Sequence, residues 1–110
     1  MLEGVDAAQI ALVIQWGSDR RICQNSTAAA QAVKTVEEAN ELLEAASNND
    51  FSEYRDAVGD ILVTLILGLK IANDRNGSSF SLNDCLGQAY REIKDRKGYL
   101  SEEGIFVKEE

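Results

Sequence analysis

Not one of the 110 residues is proline. Proline fixes φ, lacks a backbone N–H and breaks helices, so a chain without it can run in long, uninterrupted helices. The apolar pattern fits that freedom. Ala7, Ile10, Val13 and Ile14 recur at helical spacing and predict a first amphipathic helix over residues 5–16, closed by Trp16 and stopped at Gly17. Residues 18–26 mix polar and basic side chains and read as a connector, with Ser26 and Thr27 as capping candidates for a second helix over 27–46. Asn48-Asn49-Asp50 interrupts the pattern, and Asp50 with Glu53 has the spacing of a capping box for a third helix over 51–73. Ser81 and Asp84 open a fourth, running to about residue 95. The fold class expected is therefore all-α and four-helix bundle-like, in one domain spanning residues 1–110. A tail from Gly98 carries the apolar patch Ile105-Phe106-Val107, expected as a β-like extension packing on a neighbour.

Within the third helix, Ile61 to Leu69 is apolar nearly all round and must be covered on most sides. One short chain has few helices to spare for that, so a homo-oligomer, dimer or tetramer, is expected. Gly59 and Gly68 each cost about 1 kcal/mol relative to alanine inside a helix and mark expected points of close packing.

Charge narrows the function classes. Asp and Glu number 19 against 11 Lys and Arg, a net charge of −8, which argues against a partner such as duplex nucleic acid, bound through clustered basic residues. No apolar run approaches the roughly 20 residues needed to span a bilayer, and the N-terminus lacks the pattern of a secretory leader, so no membrane partner and a cytoplasmic setting are expected. Two cysteines, Cys23 and Cys85, lie far apart with no histidine in the chain to complete a zinc set, and are expected as plain buried or half-buried thiols.

The carboxylates carry the chemistry. On the second helix Glu37 and Glu41 are four apart and Glu38 and Glu41 three apart, while Asp56 and Asp60 are four apart on the third, so each set shares a helical face. At about 100° per residue, Val33, Val36, Asn40 and Leu43 form the expected core stripe of the second helix, flanked by Lys34, Glu37, Glu38 and Glu41. Like charges a few ångströms apart repel by roughly 3 to 4 kcal/mol per pair at a moderate dielectric, which calls for a counter-charge. Oxygen-only ligation suits magnesium, with manganese as the substitute, and the absence of histidine excludes the usual di-iron arrangement. Arg91, Lys94, Arg96 and Lys97 are the densest cluster of cations, suited to phosphate. On a bland reading the same glutamates are a solvated helix face and the basic cluster merely favours a helix C-terminus.

Taken together, Lys34, Glu37-Glu38-x-x-Glu41, Asp56-x-x-Gly59-Asp60 leading into an apolar helix, and Glu92-Ile-Lys-Asp-Arg-Lys-Gly98 with Val107-Lys-Glu-Glu resemble the MazG-like nucleotide pyrophosphohydrolases, over residues 31–110. The family's second motif is Glu-x-x-Asp. Ala57 stands at the glutamate position here, with Asp56 as its apparent substitute. The resemblance implies an all-α NTP pyrophosphatase fold, working as a dimer or tetramer, that hydrolyses nucleoside triphosphates to monophosphate and pyrophosphate with magnesium in nucleotide-pool housecleaning. On it, Glu38, Glu41 and Asp60 are the principal metal ligands. Glu37 and Asp56 are further ligands or orient the attacking water, while Glu37, Glu38 and Lys34 form the catalytic set. Lys34, Lys94, Arg96 and Lys97 hold phosphate oxygens, and Trp16 and Arg20 take the base and ribose end. Glu44 is expected to rotate to a different flank. The competing reading is a non-catalytic helical interaction domain that docks a basic partner on its acidic face.

Overall fold

The computed structural model describes residue 4 and residues 6–109. The chain divides between Ser79 and Phe80 into two compact units. The first holds α1 (Ala7–Asp19), α2 (Ile22–Asn25), α3 (Ala28–Ser47) and α4 (Phe51–Asn76), and the second holds α5 (Leu82–Ile93) with the strands β1 (Gly98–Leu100) and β2 (Phe106–Lys108). The all-α expectation holds. No helix among the described residues is long and apolar enough to cross a membrane.

Four helix starts are set by local chemistry, the first by the Asp6 carboxylate, which accepts from the Gln9 N–H at 2.9 Å. The Thr27 hydroxyl accepts from the Ala30 N–H at 3.0 Å, and the Asp50 carboxylate accepts from the Glu53 N–H at 3.1 Å. Ser81 and Asp84 form a reciprocal capping box, each side chain accepting from the other's backbone N–H. Helix α4 runs three residues past its expected end. It stops at Gly77, whose φ of 64° is the left-handed conformation glycine adopts freely. Helix α5 ends two residues short of residue 95. The tail forms an antiparallel hairpin, with Gly98 opposite Lys108 and Leu100 opposite Phe106. A Cβ at Gly98 would run into the Val107 carbonyl and lie 2.5 Å from the Phe106 ring, so this strand start requires glycine.

Gly17 does not stop α1, which continues to Asp19; the expected start near Val5 lies outside the described residues. The glycine is buried inside the helix, where a Cβ would lie 2.6 Å from Leu67 Cδ2 and 3.1 Å from Cys23 Sγ. It is the place where α1 closes on α4. Leu67 and Ile71 are the largest fully buried side chains. The expected connector contains a helical turn, α2, entered through Arg21 in the left-handed region at φ 63°. Cys23, within this turn, is half-buried as expected, and Cys85 is exposed, not buried or half-buried as expected.

Helices α3 and α4 pack side by side, joined by the short Asn48–Asp50 turn. Gly68 fulfils the close-packing expectation, since a Cβ there would lie 3.3 Å from Gln31 Cβ; Gly59 faces open space. The expected core stripe of α3 is reversed. Glu38 and Ala45 are its buried residues, whereas Val33, Val36 and Leu43 are 63%, 62% and 66% exposed. The helix turns carboxylates toward α4 and leaves its apolar stripe uncovered, roughly opposite on the helical wheel. In the Ile61–Leu69 run, by contrast, Leu65 is the exposed residue and the rest are at least half-buried.

Candidate metal centre

Because α3 presents Glu38 and Glu41 on successive turns and α4 presents Asp60 opposite, one carboxylate oxygen from each of the three lies within 4.8 Å of the others. No other group of three or more such ligands forms among the described residues. Lys34 lies one turn before, its Nζ 3.2 Å from Glu37 Oε2 and 3.5 Å from Glu38 Oε1. Glu38 is 8% exposed, and its Oε2 is buried with no hydrogen-bond partner. With Glu38 and Glu41 both ionised no donor reaches that buried oxygen, which is costly, and Lys34 reaches only the other one.

The electrostatics follow. Glu38 is held above the usual glutamate range, first by the Glu41 carboxyl close enough to share a proton, then by burial and Glu41's charge, against the pull of Lys34. Burial lifts Asp60, and the charges of Asp56 and Glu38 add to it. Lys34 is raised through its hydrogen bond to Glu37 and the charges of Glu37 and Glu38. Three oxygens converging, one of them orphaned and two of the groups reluctant to ionise without more positive charge, fit a divalent cation on donor chemistry as well as spacing. The metal's identity does not follow from these donors alone.

Asp56 stands beside this trio and outside it. With Glu41, Glu44, Asp50 and Glu53 it lines an acidic trough floored by Ala45 and Ala57. Ala57, at the position where the motif carries glutamate, is buried and has no ligand atom to offer. Glu44 was expected on another flank, but it lines this same trough. Glu37 stays exposed on the Lys34 side.

On the other side of Asp60, Leu12, Val13, Trp16 and Val63 line a mostly apolar pocket that Asp60 also borders. Trp16 is 41% exposed, so it is not a core residue, and the Arg20 guanidinium lies 4.7 Å from the centre of its ring. Sequence spacing alone missed Leu12, Val13 and Val63, because their shared pocket arises from α1 meeting α4. Lys94, Arg96 and Lys97 lie in the second unit, between the end of α5 and the start of β1.

The raised carboxyls set a pH dependence. Glu38 and Asp60, lifted above their ordinary 4.5 and 3.8, bind protons more readily folded than unfolded. Their contribution to stability is complete below those ordinary values and is lost as pH rises through the raised ones. Asp84 runs the other way: the Ser81 backbone N–H lowers its pKa, so its stabilisation is complete above its ordinary 3.8. In chelator, the protein is therefore expected to melt higher at about pH 5 than at about pH 7.5. A melting series should find the difference smaller in Asp60→Asn and reversed at neutral pH by magnesium.

Comparison with known proteins gives two matches of the same kind. The family model for the MazG nucleotide pyrophosphohydrolase domain matches residues 26–101. A Mycobacterium tuberculosis (strain ATCC 25618 / H37Rv) protein named nucleoside triphosphate pyrophosphohydrolase is 29% identical over 76 residues, covering 68% of this chain and 23% of that relative. The chain thus spans less than a quarter of that relative's length. No solved structure matches the chain.

Proposed function

Since this chain belongs to the MazG nucleotide pyrophosphohydrolase family, we propose that it hydrolyses nucleoside triphosphates to the monophosphate and pyrophosphate at the Glu38, Glu41 and Asp60 centre. The observation that carries this reading is the buried Glu38 Oε2, unpartnered among carboxylates that meet across two helices. Magnesium, or manganese in its place, when held by these three residues supplies the positive charge that draws phosphate oxygens and makes water a better nucleophile. Glu37 and Asp56 flank the trio as groups that orient the attacking water and accept its proton. Lys34, held by Glu37 and Glu38, meets a phosphate oxygen. By the sequence expectation Lys94, Arg96 and Lys97 add charge for the leaving pyrophosphate.

The base end belongs to the apolar pocket of Leu12, Val13, Trp16 and Val63, because Asp60 borders both that pocket and the metal ligands. Trp16 stacks on the base and Arg20 lies beside the ribose. The uncovered stripe of α3 supports a homo-oligomer built from this chain. A cytoplasmic housecleaning enzyme, acting on free nucleotides and not on nucleic-acid polymers, is the role that accords with this site.

A panel of canonical and modified nucleoside triphosphates with magnesium, read as pyrophosphate release, tests the reading. Turnover that stops with chelator and is weak with calcium is expected, with modified nucleotides preferred for a housecleaning role. A panel that yields no pyrophosphate would remove the enzymatic reading.

A further inference from the structure

One turn from the carboxylates, Thr35 on α3 and Thr64 on α4 bring their hydroxyl oxygens to 2.7 Å of each other. Each also reaches its own helix: Thr35 Oγ1 is 2.9 Å from the Gln31 carbonyl and Thr64 Oγ1 is 2.7 Å from the Ile61 carbonyl. Three short contacts share two hydroxyl protons. Whichever hydroxyl donates across the gap gives up or divides the bond to its own backbone, so the bridge competes with helical hydrogen bonds that the threonines could keep if the helices stood apart. Thr64 is 5% exposed, in surroundings where a hydroxyl needs a partner.

The position of the bridge gives it a use. Thr35 precedes Glu38 by three residues, and Thr64 follows Asp60 by four, so each threonine lies one turn from a carboxylate on the same helical face. One turn further along, Gly68 admits Gln31 at a separation that a side chain would crowd. The helices are thus drawn together at the level next to the carboxylates, against the repulsion of Glu38, Glu41 and Asp60. The separation of two packed helices is set by the side chains at their contact, and at this level the contact is between the two hydroxyls.

We propose that Thr35 and Thr64 are positioning residues, whose hydroxyl bridge fixes the α3–α4 separation at which Glu38 and Asp60 take a divalent cation together. The inference rests on the metal-centre reading above. Thr64→Val keeps the shape and replaces the bridging oxygen with a methyl group, which cannot approach the Thr35 oxygen as closely. The helices are expected to stand further apart at this level, carrying Asp60 away from Glu38. Thr64→Ser keeps the hydroxyl.

The test is equilibrium binding of Mn2+ alone, without nucleotide, to the full chain, with a melting curve in chelator on each protein. Thr64→Val is expected to weaken binding roughly tenfold, as loss of groups that orient metal ligands commonly does. Thr64→Ser is expected to stay within about twofold of the parent. Thr35→Val, at a half-buried position, is expected to weaken binding as Thr64→Val does, and it replaces that variant if Thr64→Val does not fold. Parental affinity in the folded valine variant overturns the inference, and so does a serine variant as weak as valine. A parent that binds no Mn2+ overturns the metal-centre reading and this inference with it. A parent that binds while the valine variant binds equally well overturns the inference alone.

Discussion

Replacing Glu38 by glutamine is expected to remove nearly all magnesium-dependent turnover, on the order of a hundredfold or more, while the metal-free protein keeps its fold and melts higher than the parent. The two effects have one cause. Glu38 is buried, with one oxygen unpartnered and Glu41 and Asp60 within reach of its carboxylate. Glutamine has the same shape, removes a negative charge from that cluster, and offers an N–H donor to Glu41 where the parent has an unpaired acceptor. Lys34 keeps its partner Glu37. On the proposed reading, what is lost is a charged ligand. Steady-state rates at several magnesium concentrations, beside melting curves in chelator, read both effects, and Asp60→Asn and Glu41→Gln should follow the same pattern. Glu44 cannot serve as the neutral comparison, because it lines the trough with Glu41. Glu103, in the turn between β1 and β2, is the better control. If Glu38→Gln lost activity and melted lower, the carboxylates would be holding the fold together and not straining it.

The second large effect concerns assembly. Val36→Asp combined with Leu43→Asp is expected to convert a dimer or larger species to monomer in sedimentation, leaving helix content unchanged. Both residues lie on the outer stripe of α3, more than 60% exposed and turned from α4. Covering such side chains contributes about 1 to 2 kcal/mol each. A two-fold interface would bring like residues from two copies together, so an aspartate pair would place four carboxylates in one contact. A parent that sediments as a clean monomer would sink the expectation before any variant was made.

The reversal of α3 marks what the sequence could and could not carry. Helix starts at Thr27, Asp50 and Ser81 were legible because a capping side chain and the N–H it accepts from lie within three residues. The phase of α3 was not legible. Apolar-inward patterning assigns Val33, Val36 and Leu43 to the core, and it fails where a centre of charged groups occupies the inner face instead. The run of carboxylates still pointed to Glu38, Glu41 and Asp60, whose oxygens the structure brings within 4.8 Å of one another, since Glu38 and Glu41 share a face whichever way that face turns. The place of Gly17 escapes a local reading for a related reason. As a local signal glycine ends a helix, but here it makes room for Leu67, a residue fifty positions away. The bridge between Thr35 and Thr64 left no sequence signal, because two threonines on separate helices have no spacing to read.

One reaction tests the central claim most directly. A nucleoside triphosphate incubated with the parent protein and magnesium, followed by phosphorus NMR, is expected to give monophosphate and pyrophosphate as the sole products, and to stay unchanged with Glu38→Gln or with chelator. Appearance of diphosphate and orthophosphate, or an unaltered rate in Glu38→Gln, would contradict it.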